Sequence, residues 1–478
     1  MLKIDLTSSR LWGNEAGEDE DDDKLESYFL SKPTFEHFYR AEQKLLFVRA
    51  KKGLGKSALL KHTLNICKKN NPNDIFLYIK GSDLETIQSF SSHSPNDMIR
   101  GWQQRICTRI NFEIGAQLNF AFSDDKICLI EKAELAGFRS RNILRCLIDR
   151  IKYHDIDIKS VPDGNAKALL QRVASGETIS SVWLFIDDID ATFTNSDEEK
   201  LSLSTFFSAC RNLVNDVTGI HIRASVRTGV WHILSQFDEA LDKCEQYMCD
   251  IKWSTSETGI ILRNKIFSYI QSEFPEKMPG LMNLDQQKIL SLVFKEPFMW
   301  SNRATDSFRP IHILSDGRPR WAAMLCKLGG QAALAYQNNK ITLNHILSQL
   351  KIYGQSRIDD LYREHRHQCN RLSDIIEAFA GGRSKYTTPQ LLSHITNNII
   401  KRKGLVPIVG TVSSSGSIGI AHFLFQIGFI CARDFNEHES LGFVRFEDRP
   451  NLLTTRTNLD DGLTWEIHPS YRDVLRIR

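Results

Sequence analysis

No apolar run in the 478 residues approaches the roughly 18 that a membrane-crossing helix needs. The start, "MLKIDLTSSRLWGNEAGEDEDDD", turns acidic where a secretory signal needs an apolar core, so a cytoplasmic location without membrane contact is expected. Metal-type cysteine spacing is also missing. Ten cysteines run from Cys67 to Cys431 with no CxxC pair and no repeated Cys/His spacing, which argues against a zinc module or disulfide framework and for reduced core thiols. The one His-rich string, "REHRHQC" (Arg363 to Cys369), has basic neighbours and no second half, and reads as a solvated polar helix. Charge of one sign is not in excess: 61 basic against 58 acidic residues leave a net +3, so any nucleic-acid binding has to be local. No internal repeat is apparent, and the acidic run from Glu15 to Glu26 reads as a solvated lead-in.

What is present is the composition of an ordinary globular chain, 41% apolar and 25% charged, long enough for about three domains. From Lys44 short apolar runs alternate with helical patterns. "KLLFVRA", "DIFLYIKG", "SVWLFIDDID" and "GIHIRASVR" read as strands, with helices over Ser57 to Lys68, around Trp102 and Ile143, and at "KLSLSTFFSACRNLV". That alternation predicts an α/β fold with a parallel sheet. After "CDIKWS" the period is helical to about Leu350, broken at "EFPEKMPG" and "SDGRPRW". Beyond Gln355 come helices near Arg371 to Ala380 and Thr388 to Ile399, the turn "TVSSSGS", the apolar helix "IGIAHFLFQIG" and two strand-like pieces, "GFVRFED" and "LTWEIHP", the order of a winged helix. The expected divisions are 1–40, an acidic lead-in; 41–253, a nucleotide-binding core; 254–354, a helical lid; and 355–478, a winged-helix-like domain.

Between the first strand and its helix stands "AKKGLGKS", Ala50 to Ser57. A phosphate loop needs converging backbone N–H groups, glycines where side chains would block the phosphates, and a helix N-terminus behind it. Ala50, Lys51, Lys52, Gly53, Leu54, Gly55, Lys56, Ser57 and Ala58 are the candidate nucleotide-binding residues; Lys56 is suited to the β and γ phosphates and Ser57 to Mg²⁺. Ala50 replaces the usual first glycine at a strand end, where a methyl group is tolerable. The complementary acid lies in "VWLFIDD": five apolar residues run into Asp187 and Asp188, a costly placement unless a cation or water is recruited. Asp187 is the candidate magnesium acid and Asp188 the candidate base for the attacking water. Glutamate is usual at the second position, and aspartate is shorter by roughly 1.5 Å, so slow turnover, a switch more than a motor, is expected. Arg227, ending "IHIRASVR", and Arg320, opening the helix after Pro319, could each be a surface arginine at a strand end or a helix start, but their order after the two motifs favours Arg227 as a γ-phosphate sensor and Arg320 as a lid residue pointing back onto the nucleotide, both candidate catalytic residues with Lys56 and Asp188.

These residues resemble the P-loop ATPases of the AAA+ and STAND type, including KAP-like and origin-recognition branches, and more closely a bacterial set of such ATPases. The resemblance rests on the Walker A loop (Ala50 to Ser57), the Walker B strand (Val182 to Asp188), the sensor strand (Ile220 to Arg227), the Arg318-Pro319-Arg320 lid segment, and strings such as "LWGNEAGEDE", "IKWS", "LFQIGFI" and "WEIHPSYRDVL". It implies ATP and Mg²⁺ as cofactors, with Lys56, Ser57, Asp187 and Asp188 in the roles above, and by analogy a place in stress or antiviral defence.

Three functions follow as expectations. In the first, a signalling ATPase repositions lid and winged helix to control self-association or an effector partner. In the second, a loader or origin-recognition-like ATPase places the winged helix on duplex DNA. In the third, an ATP-binding scaffold barely hydrolyses. The helix "SIGIAHFLFQIGF" carries no Lys or Arg and, with Phe423, Leu424, Phe425, Ile427 and Phe429, is built for burial, which favours the first. Lys401 to Lys403, Arg445 and Arg449 favour the second through phosphate contact.

Overall fold

The computed structural model describes residues 3–14, 19–85, 94–117, 128–130, 132–133, 136–138, 166–174, 181–300, 302–409, 416–434, 436, 442–454 and 462–477. The chain divides into two compact units, one of Pro33–Arg49 and Leu59–Asp250, the other of Met1–Lys32, Ala50–Ala58 and Ile251–Arg478.

The first unit is built on strands β1 (Leu45–Ala50), β2 (Ile75–Lys80), β3 (Val182–Asp187), β4 (Ile220–Arg227) and β5 (Met248–Asp250), in the order β2-β3-β4-β1-β5. β2 pairs with β3, β3 with β4 and β1 with β5, all in parallel. Parallel strands share one carboxyl edge, the edge where ligands of such sheets bind. All six residues of β3 are buried, as expected of a strand covered on both faces. The helix Asp197–Asp216 starts at a capping box, Ser196 with Glu199, and buries Phe206 and Phe207. Phe207 sets its ring edge-on to Phe47 of β1 and to Trp231, each at 5.0 Å. Arg223 is buried in β4 and donates to the carbonyls of Phe38 (3.0 Å) and Arg40 (3.1 Å), tying the segment ahead of β1 to the sheet. The helical pattern around Ile143 lies outside the described residues.

In the second unit the acidic run, whose residues 15–18 lie outside the described residues, keeps Asp19, Asp21, Asp22, Asp23 and Glu26 exposed, as a solvated segment does, yet it is folded and anchored. Asp22–Tyr28 is a helix capped by Asp21, and Leu11, Trp12 and Leu25 are buried. Glu20, only 5% exposed, accepts hydrogen bonds from the Asn14 amide, the Tyr28 hydroxyl and Lys24. Leu25 within the run, and Leu11 and Trp12 ahead of it, anchor the segment. The helix Thr255–Glu273 begins where Ser254 and Glu257 cap each other, and packs with the helix Pro319–Ala335 around Leu262, Ile266, Trp321 and Leu325. A hairpin of β6 (Phe298–Trp300) and β7 (Arg303–Thr305) interrupts this stretch; strands of three residues are too short to break a helical period in the sequence.

The carboxyl-terminal part has the order of a winged helix. After the helix Leu372–Glu377 come β8 (Lys385–Tyr386), the helix Thr388–Ile395, the helix Ser417–Gln426, then β9 (Ile430–Arg433), β10 (Phe443–Val444) and β11 (Thr464–Ile467) in an antiparallel sheet of order β10-β9-β11-β8. β9 is hidden in the sequence because it continues the apolar run of the preceding helix. Gly428, at φ +75°, separates them: the Phe429 amide bonds back to Leu424 and closes the helix. Phe379, Leu391, Phe423, Phe425, Phe429 and Trp465 share the core.

Candidate functional site

β1 ends at Ala50, which is buried in extended strand conformation, and the helix Lys56–Asn70 begins one residue earlier than the sequence suggests. Gly53 (φ +83°) and Gly55 (φ +104°) take left-handed conformations that a side chain would strain. N–H groups converge only if the carbonyls point away. Three successive loop carbonyls are taken by donors outside the loop: Lys52 by Arg318 Nη1 (2.9 Å), Gly53 by the Arg320 amide (3.4 Å) and Leu54 by Trp253 Nε1 (2.9 Å). A methyl group on Gly53 would stand 3.4 Å from Arg320 Cβ, so Arg320 lies against the loop. Lys56 is buried and donates to the Ala50 carbonyl at 3.2 Å.

Carboxylates hold the polar groups of Lys51 and Lys52. Glu364 accepts the Lys52 amide (2.9 Å) on one oxygen and Arg318 Nη1 (2.8 Å) on the other. Lys51 pairs with Glu447 at 2.6 Å, and Lys52 Nζ stands 3.8 Å from Asp360. Arg318 is 1% exposed, lies over the Trp321 ring and also faces Asp316, so this arginine is structural. Burial alone would push the Glu364 carboxyl up. Arg318, His365 and the Lys52 amide outweigh it and hold the group well below the usual carboxylate range. "REHRHQC" is therefore not a solvated helix: Glu364, His365, Gln368 and Cys369 are all buried.

In the first unit, β3 delivers Asp187 to the sheet's carboxyl edge, 2% exposed. Tyr78 of β2 donates to Oδ2 (2.8 Å) and Ser225 of β4 to Oδ1, so the two neighbouring strands orient the carboxylate. Asp188 is left-handed (φ +50°) and partly exposed, its amide bonding to Asp187 Oδ1 (3.0 Å) and Ser225 Oγ (3.1 Å). Close approach explains Gly81: a Cβ there would come within 2.4 Å of Ile189 Cα. Arg227 turns to the fully buried Asp190, whose Oδ2 accepts from its amide (2.8 Å) and its Nε (2.9 Å).

Sequence reasoning missed Tyr78, Ser225, Asp190, Glu364 and Glu447. One signal was available: Ser225 and Arg227 stand two apart on one face of β4, matched to acids three apart in "IDDID". Among the described residues no cluster of three or more metal-ligating side chains occurs. Mg²⁺ keeps waters and takes one or two protein ligands beside substrate phosphates, so a buried carboxylate oriented by two hydroxyls, Asp187, suits that ion.

No protein-family model matches the chain, and no curated protein does. Among solved structures it is similar to the Aeropyrum pernix ORC2 protein in ADPNP-ADP complexes (11% identity, 95% of this chain and 92% of that one, TM-score 0.39). It is also similar to Cdc6p from Pyrobaculum aerophilum (10%, 98% and 98%, 0.33) and to the Aeropyrum pernix ORC1 protein in complex with DNA (11%, 97% and 96%, 0.35). Identity at this level assigns no residue a role.

Proposed function

We propose that the protein is a P-loop ATPase that binds ATP with Mg²⁺, turns it over slowly and works as a nucleotide-dependent switch over self-association or a protein partner. The observation that carries this reading is the loop itself: two left-handed glycines, three carbonyls taken by donors outside the loop, and a helix opening at Lys56. Ala50 through Ala58 would cradle the phosphates, Lys56 would neutralise them, and Ser57 and Asp187 would hold the ion. The bound Mg²⁺ nucleotide supplies the electrophilic phosphorus and its counter-charge. Asp188 would orient the water; its left-handed backbone is the kind of local strain that collects at working sites.

Slow turnover has a physical source in this reading. Arg227 would have to leave Asp190 before it could act as a sensor, and Arg318 is buried in structure, so in this reading the lid's sensor would be Arg320. The direct test is fluorescent-ATP binding to Lys56→Ala beside wild type. Loss of binding in the variant supports the site, and equal binding by both removes it.

A further inference from the structure

Glu364 and Glu447 lie far apart in the chain, yet they take adjacent residues of the loop. Glu364 binds the Lys52 amide, and Glu447 the Lys51 ammonium. Each carboxylate is one residue from an aromatic ring packed on the same helix, Ser417–Gln426. His365, next to Glu364, sets its ring edge-on to Phe423 at 6.1 Å. Phe446, next to Glu447, sets its ring edge-on to His422 at 5.6 Å and to Phe425 at 5.7 Å. That helix stands where a winged helix would present its reading face, but every residue from Gly419 to Gln426 is buried. Two routes thus join neighbouring loop residues to one covered helix.

We propose that this helix and the phosphate loop are one coupled element, with Glu364 and Glu447 as positioning residues that tie the loop's state to the docking of the carboxyl-terminal fold. The proposal rests on the reading of the loop as a nucleotide site. Phosphates and the two carboxylates are anions drawn to the same two residues, the Lys51 ammonium and the Lys52 amide. Phosphate binding weakens the hold of the carboxylates, and release of the carboxylates strengthens phosphate binding; linkage requires both directions together. The apolar helix is then a relay that is covered in one state and loosened in the other. Its lack of Lys and Arg follows from that burial.

The test uses the full chain, with Glu447→Gln and Glu364→Gln, and the probes ATP, ADP and adenosine. Each variant is expected to bind ATP roughly tenfold tighter, within the usual range of coupling between sites, ADP by a smaller factor and adenosine no differently. A merely structural loss would not sort ligands by phosphate number. In wild type, ATP is expected to raise amide hydrogen exchange over residues 417–426; in the variants exchange is already raised and ATP adds little. Glu364→Gln leaves Arg318 buried without its main counter-charge, so if it fails to fold, Glu447→Gln, with its part-exposed carboxylate, carries the test. ATP affinity unchanged or weaker in a folded variant, with exchange over 417–426 indifferent to ATP, overturns the coupling and leaves the nucleotide reading standing. A wild-type chain that binds no ATP overturns the nucleotide reading itself.

Discussion

Asp190 holds Arg227 at three points: its carboxylate accepts the arginine's amide and Nε, and its own carbonyl accepts Nη2. Asp190 is fully buried and Arg227 mostly so, which makes the pair a fixed strand-end clamp in this conformation. Hydrogen bonds to charged groups are worth roughly 1.5–3 kcal/mol each. Asp190→Ala is therefore expected to lower urea stability by about 3 kcal/mol. Arg227→Ala should lower ATP turnover more than ATP affinity, because the side chain is parked away from the ground state. Equal kcat in wild type and Arg227→Ala would leave the arginine a clamp only.

Asp188 gives a prediction in which stability and activity part. Its φ of +50° lies in the left-handed region, which costs most side chains about 1–2 kcal/mol, aspartate less, and glycine almost nothing. Asp188→Gly is expected to melt at or above wild type, to bind ATP normally and to lose hydrolysis. Melting curves and phosphate release check it together. Undiminished turnover would show that another group orients the water.

Gly81 tests the turn from the opposite side. Any side chain there meets Ile189 Cα at 2.4 Å and the Asp188 carbonyl at 3.0 Å, both backbone atoms that cannot swing away. Gly81→Ala is expected to cost about 1–3 kcal/mol, the usual range for overpacking, and to reduce turnover through the displaced Asp188. ATP affinity, which the proposed function assigns to the loop, should move little. A variant as stable as wild type would mean that the turn yields easily.

Much of this was legible in the sequence, and the illegible part has a common cause. β1 and β3 announce themselves as apolar runs because parallel strands are buried on both faces, β4 does so by its alternation of Ile220, Ile222, Ala224 and Val226 with polar residues, and the loop does so because glycine is the residue that left-handed positions favour. Partners brought in from distant chain positions leave no local pattern. Tyr78 looks like any aromatic of an alternating strand, and Glu364 sits among charges that suggest solvent, although a buried arginine 46 positions earlier neutralises it. β8 and β10, two residues each, fall below the resolution of any periodicity.

Three histidines of the second unit, His312, His365 and His468, are buried and neutral. Burial lowers their pKa values to about 3, 4 and 3, with nearby arginines contributing to each. In the unfolded chain they titrate near 6.5, so below that pH only the unfolded state takes up the protons. Stability present at pH 7 is then lost as pH falls, at about 1.4 kcal/mol per histidine per pH unit. Between pH 7 and 5.5 the three together are expected to remove about 3–4 kcal/mol, read from urea midpoints. Below pH 4.5 protonation of Glu364, whose folded pKa is depressed, adds to the loss. His312→Gln should flatten the first part of the profile. A flat profile from pH 7 to 5.5 would mean that these rings are charged or hydrated in the fold.

Duplex DNA is the occupant that a winged helix invites, and here its usual contacts are already taken. The helix Ser417–Gln426 offers no exposed residue beyond its first turn, Arg445 turns inward to the Trp253 carbonyl, and Arg449 pairs with Asp434 at 2.8 Å. Lys401 and Arg402 are exposed, and among the described residues neither has a carboxylate partner. Any DNA binding is therefore expected to be weak, independent of sequence and carried by these two cations. Each phosphate contact contributes a slope of about −0.9 in log K against log salt, so Lys401→Ala with Arg402→Ala should reduce the slope by up to about 2, while Arg449→Ala leaves it unchanged. Fluorescence anisotropy of a labelled duplex across 50–200 mM salt measures both. Tight, sequence-selective binding that vanishes in Arg445→Ala would require the carboxyl-terminal fold to open before it meets DNA, and would move the protein from the switch reading to the nucleic-acid one.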